Sequence, residues 1–151
     1  MKIAIVGCGI SGANVLKNII EHKNFDNSLY IDIYEKRSEL GVGLAYEEDD
    51  MHKVLNTPVA HMNVNLEDRN EFRNWLIDNY GELPTIEGKI PRPITGQYIK
   101  EKYEKYFENP NASIHQIEII DVIKEDFNFK LKSNSKTYGP YDAVFLCIGQ
   151  S

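Results

Sequence analysis

A short apolar run, Lys2-Ile3-Ala4-Ile5-Val6, breaks directly into Gly7-Cys8-Gly9-Ile10-Ser11-Gly12 and continues as a periodic segment to about His22. The apolar run ending in glycines reads as a buried parallel strand. In the periodic segment Ile10, Ala13, Leu16, Ile19 and Ile20 recur at helical spacing, which gives one face able to pack on a sheet. Each of the three glycines answers a different demand. The first permits a tight turn, the second leaves room for main chain to approach a ligand, and the third lets helix and strand pack closely. The first amides of the helix then point at whatever sits in front of them. For a pyrophosphate the helix dipole adds roughly 0.3–1 kcal/mol, and up to about 2 when partly buried. Ser11 can add a hydroxyl contact.

A second strand, Leu29 to Tyr34 (LYIDIY), ends in Glu35, about twenty residues beyond the glycines. A carboxylate there can accept hydrogen bonds from both hydroxyls of a ribose and repels a 2′-phosphate, which favours FAD or NAD over NADP. Lys36 and Arg37 follow immediately and weaken that preference, because either cation could screen a phosphate. The hexapeptide alone would be a weak signal. Strand, glycine turn, helix and second-strand acid in this order form a complete mononucleotide-binding half.

Beyond Glu35 the regular βα alternation stops. An irregular stretch from Lys36 to about Val64 contains GVGLAY and LNTPVAHMNV. The spacing then predicts a helix from about Glu67 to Tyr80, with Phe72, Trp75, Leu76 and Tyr80 on one side and a capping box at Asn65 and Asp68. A second helix is expected from about Gly96 to Phe107, with Ile99, Tyr103, Tyr106 and Phe107 inward. The last third reads as strands: isoleucine-rich Ser113 to Lys124, alternating Asn128 to Lys132, a SNSK turn, and the apolar run Ala143 to Ile148 closed by Gly149. The expected fold is α/β and Rossmann-like, a central parallel sheet with flanking helices and a β-meander. At 151 residues it is expected to be a single domain spanning 1–151.

The charge balance, 17 Lys+Arg against 23 Asp+Glu, argues against a nucleic-acid surface. No apolar run approaches the ~20 residues needed to cross a bilayer, so no membrane partner is expected. With glycines interrupting the first apolar run, the N-terminus does not read as a secretory signal. The two cysteines, Cys8 and Cys147, read as packed thiols more readily than as a redox pair, and a reducing cytoplasm is the expected compartment. His22, His52, His61 and His115 lack metal-ligand spacing, so no metal is expected, and no general base is assigned. Arg92, between two prolines, reads more readily as a solvated or salt-bridged side chain than as a phosphate contact.

The pieces GCGISG, Tyr34-Glu35, GVGLAY, VLNTPVAHMNV, NEFRNWL, IPRPITGQYI and YDAVFLCIG together resemble the N-terminal part of the bacterial FAD–NAD(P)-binding family, related to glutathione-reductase-type flavoproteins and flavin-dependent monooxygenases. By position, the resemblance implies Gly7, Gly9, Ser11 and Gly12 at the pyrophosphate and Glu35 at the ribose, with Lys36 near the adenosine. It further implies Gly41, Gly43 and Asn56 on the flavin side, the main chain of Ile119 at the adenine edge, and a close pass of Gly149 by the cofactor. Such proteins continue past the closing glycine through an NAD(P)-binding insertion and a return segment. The chain is therefore expected to be the FAD-binding, N-terminal part of a longer NAD(P)H-dependent flavoprotein oxidoreductase, monooxygenase-like in kind. Two other readings stay open: a non-catalytic dinucleotide-binding module, and the cofactor domain of an NAD-linked dehydrogenase.

Overall fold

The computed structural model describes residues 1–149. Two compact units are present, one built from residues 1–43 together with those from 103 onward, the other from Leu44–Lys102, and the short helix α2 (Gly43–Tyr46) carries the chain from the one to the other.

In the first unit β1 (Lys2–Val6) lies between β2 (Tyr30–Tyr34) and β7 (Ala143–Leu146), with β3 (Ala112–His115) outside β2. All pairings are parallel, in the order β3-β2-β1-β7. The two-residue period of the strands divides the sheet into two faces. Ile3, Ile5, Ile31 and Ile33, none more than 3% exposed, belong to the face covered by α1 (Ile10–Ile20), whose Ala13 and Leu16 are fully buried. Ala4, Val6 and Tyr34 point the other way, into a core shared with Leu131 and Tyr141. That second layer is an antiparallel meander of β4 (Asp121–Lys124), β5 (Phe129–Lys132) and β6 (Thr137–Tyr141). Parallel sheet, helix and meander are the α/β architecture expected from the sequence.

One polar network ties the meander to the sheet. Asp32, on the meander face of β2, accepts hydrogen bonds from Tyr141 Oη at 2.7 Å and Lys2 Nζ at 2.9 Å, and its Oδ1 lies 3.1 Å from His115 Nε2. Tyr34 Oη and Tyr141 Oη are 2.6 Å apart, and the Tyr34 ring stacks on His115 with centroids at 4.8 Å. Burial alone would raise the Asp32 pKa. The bonds from Lys2, Tyr141 and His115 outweigh it and hold the carboxyl below the usual range.

In the second unit Phe72, Trp75 and Leu76 of α3 (Glu71–Tyr80) are buried, and so are Ile94, Tyr98 and Ile99 of α4 (Arg92–Phe107). Tyr98 packs on Phe72 at 4.5 Å, donates to Glu71 Oε2 at 2.6 Å and accepts from the Val64 amide at 2.9 Å. The helix α4 runs on into the first unit. There Tyr103 donates to Asn14 Oδ1 of α1 at 2.5 Å, and Tyr106 donates to Glu21.

Several expected boundaries shift. The helix α3 starts at Glu71, behind Asn70, and the expected capping box is absent. Asn65 Oδ1 instead closes a turn by accepting from the Glu67 amide at 3.0 Å, and Glu71 is the acid that reaches back to the Asn65 amide at 2.8 Å. The helix α4 begins at Arg92 rather than Gly96, because Pro93 falls in the first turn, where a proline needs no amide. The isoleucine-rich stretch is two strands in two sheets: the chain turns at Ile117, whose amide bonds His115 O, and crosses to the meander. The closing apolar run is an edge strand, with Phe145, Leu146 and Ile148 exposed at 39%, 59% and 73%.

Candidate functional site

The first unit gathers its sequence-singled residues where the parallel strands end. Gly7 leaves β1 with φ +87° while its amide donates to Tyr34 O at 2.8 Å. A Cβ on Gly7 would lie 2.4 Å from Cys147 O, and one on Gly12 would lie 2.2 Å from Gly7 O. Both glycines are therefore required by protein packing against protein. Gly9 differs. A Cβ there meets only Gly43, at 3.3 Å from its Cα, so Gly9 is the glycine whose bareness the fold demands least.

The helix α1 opens at Gly9 without a side-chain cap and with no acidic residue in its first turn. Its first intrahelical bond runs from the Ala13 amide to Gly9 O at 3.0 Å. The amides of Ile10, Ser11 and Gly12 precede that bond, so they are the orphan donors of the helix start. Ser11 is exposed beside them. Orphan amides, a positive dipole end and a bare Gly9 suit a diphosphate.

Glu35 follows β2, its amide bonded to His115 O at 3.1 Å. Its half-buried carboxylate is fixed by main chain: Oε2 accepts from the Cys8 amide at 2.7 Å and Oε1 from the Arg37 amide at 3.0 Å. Each oxygen keeps a further lone pair for a ribose hydroxyl. This bond draws Glu35 to the glycine turn, 27 residues away in sequence. Gly41 and Gly43 come to the same place, since the Gly41 amide donates to Cys8 O at 2.7 Å and Gly43 lies against Gly9.

The remaining expected residues are more scattered. Lys36 is exposed and pairs with Glu118 on the crossing between β3 and β4, Nζ to Oε1 at 3.1 Å. Ile119, on the same crossing, is half-buried against the core under the meander. Gly149 is exposed, with φ +72° and open space around it. Asn56 is an exposed residue of the second unit. Arg92, in that unit, donates through Nε to Val54 O at 3.2 Å.

The thiols are poor nucleophiles. Burial first, then the Glu35 carboxylate, pushes Cys8 up to about 12, and burial raises Cys147. Both stay protonated near neutrality. Among the described residues no group of three or more His, Cys, Asp or Glu is placed to hold a metal ion, and no helix is long and apolar enough to cross a membrane. Sequence reasoning missed Glu118, an acid in the isoleucine-rich stretch with no motif around it.

A family described as FAD-NAD(P)-binding matches residues 4–151. An uncharacterised Escherichia coli protein, YdhS, is 26% identical over 111 residues, which cover 68% of this chain and 20% of its own. Among solved structures, cyclohexanone monooxygenase in an open form superposes with a TM-score of 0.69 at 12% identity, over 98% of this chain and 26% of that one. Tmm from a Pelagibacter species gives 0.59 at 18% identity, over 97% and 36%. At such identities the likeness concerns the fold. The chain spans between 20% and 36% of the length of these three proteins.

Proposed function

This chain belongs to the FAD-NAD(P)-binding family, and from that premise we propose that it holds FAD, as the N-terminal part of a longer NAD(P)H-dependent, monooxygenase-like oxidoreductase. The amides of Ile10, Ser11 and Gly12 hold the pyrophosphate over Gly9, with Gly7 and Gly12 shaping the turn, and Glu35 grips the ribose. Lys36 and the main chain of Ile119 serve the adenosine, while Gly41, Gly43 and Gly149 serve the flavin side. When bound, the flavin supplies hydride and electron chemistry; these residues bind and orient it. The two free thiols support a reducing compartment, the cytoplasm, as part of this reading.

The observation that carries the choice of FAD over NAD is the antiparallel meander β4-β5-β6 packed on Ala4, Val6 and Tyr34. A dehydrogenase cofactor domain continues its βα alternation there. The fold likeness to cyclohexanone monooxygenase supports the same choice.

The test is a titration with FAD and, separately, NADH. The protein is expected to quench FAD fluorescence with clear preference over NADH. Glu35→Gln is expected to weaken FAD binding by roughly tenfold to a hundredfold, the effect of losing a charged hydrogen bond worth about 1.5–3 kcal/mol. Preference for NADH would point to the dehydrogenase reading, and binding of neither ligand by folded protein to a module that has lost its nucleotide.

A further inference from the structure

We propose that Glu118 is a specificity determinant that makes the adenosine end of this site reject a 2′-phosphate, by taking Lys36 away from it. The inference rests on the cofactor reading above and goes beyond it to a residue outside the nucleotide motif. Two neighbours send opposite signals. Glu35 at the end of β2 repels a phosphate on the ribose, whereas a cation just beyond that acid is the kind of group that accommodates one. The ambiguity is settled by geometry: Lys36 Nζ sits 3.1 Å from Glu118 Oε1. Arg37, the next cation, is engaged as well, and its amide is committed to Glu35 Oε1 at 3.0 Å.

The pair joins the end of β2 to the β3–β4 crossing, 82 residues apart in sequence. The two ends are held close by main chain, through the bond of the Glu35 amide to His115 O and the turn from the Ile117 amide to the same carbonyl. Both side chains are more than half exposed, at 61% and 53%, so the pair contributes little to stability. Its consequence falls on the ligand. A 2′-phosphate arriving beside Glu35 must compete with Glu118 for Lys36 and meets two carboxylates; a free 2′-hydroxyl meets neither difficulty.

The experiment compares ADP with its 2′-phosphorylated form, adenosine 2′-phosphate 5′-diphosphate, by calorimetry on the whole chain. The wild type is expected to prefer ADP. Glu118→Gln should narrow that preference by about threefold and Glu118→Lys by about tenfold, the scale of removing or reversing one exposed charge near the phosphate. Glu125→Lys, the same charge change at the β4–β5 hairpin, should leave the ratio alone. The proposal is overturned if both Glu118 variants keep the wild-type ratio while still binding ADP, or if Glu125→Lys shifts the ratio as much as Glu118→Lys does. Failure of the wild type to bind ADP at all overturns the cofactor reading, and this inference with it.

Discussion

Gly12→Ala is expected to lower the melting temperature by about 6 °C, although alanine is the better helix former. Intrinsic propensity favours the substitution by roughly 1 kcal/mol. Against that stands a Cβ 2.2 Å from Gly7 O and 3.1 Å from Gly7 C, far inside contact distance. The main chain at Gly7 is not free to give way: its amide is bonded to Tyr34 O, and Gly7 itself is closed in by Cys147. Overpacking against fixed backbone costs about 3 kcal/mol. A net loss near 2 kcal/mol is a substantial part of a domain's stability, and it corresponds to about 6 °C at this chain length.

Gly9→Val should behave in the opposite way. Among the described residues its Cβ would meet only Gly43, at 3.3 Å, the first residue of the short helix Gly43–Tyr46, so a displacement of a few tenths of an ångström there accommodates it. The variant is expected to fold, with near-native circular dichroism and melting, and to lose FAD because a branched side chain now stands in front of the helix amides. Both variants melting alike, or Gly9→Val retaining FAD, would contradict the division of roles among the glycines.

Asp32→Asn is expected to cost about 3 kcal/mol and to flatten the acid limb of the stability profile. The hydroxyl of Tyr141, 1% exposed, is the donor with least access to water once the carboxylate is gone, and a charged hydrogen bond of this kind contributes about 1.5–3 kcal/mol. Lys2 and His115 also lose their anion, but both reach solvent and recover part of the loss. The direction with pH follows from the lowered carboxyl pKa. A depressed folded pKa contributes stability that is complete above the unfolded value near 3.9 and lost as pH falls through the folded one. The wild type should therefore lose this contribution only below about pH 4, and the asparagine variant should lack that component of the slope. Denaturant melts between pH 6 and pH 2 on both proteins measure it.

What the sequence disclosed follows from how local each feature is. The turn GCGISG is contiguous, and its order between an apolar strand and an amphipathic helix leaves few alternatives. Glu35 was legible because a strand end places it. The parallel sheet and meander were legible because periodicity changes along the last third of the chain. The Asp32–Tyr141 bond joins residues 109 apart, and nothing in LYIDIY or TYGPY announces it. Glu118 was silent for the same reason. The run Ala143 to Ile148 reads as buried from composition, yet among the described residues β7 has a neighbour on one side only, and composition does not report which strand is the edge. The misplaced cap at Asn65 shows an asparagine closing a local turn where a helix start was expected, since the same side-chain oxygen serves either.

The central claim is that a dinucleotide diphosphate lies on the orphan amides of α1 with Glu35 at its ribose. Amide chemical shifts followed by NMR during an FAD titration test it most directly. The largest changes are expected at Cys8 to Gly12 and at Glu35 and Lys36. Shifts gathered instead along the outer groove of α1, at Asn18, Phe25 and Phe145, or an unperturbed glycine turn under saturating FAD, would contradict it.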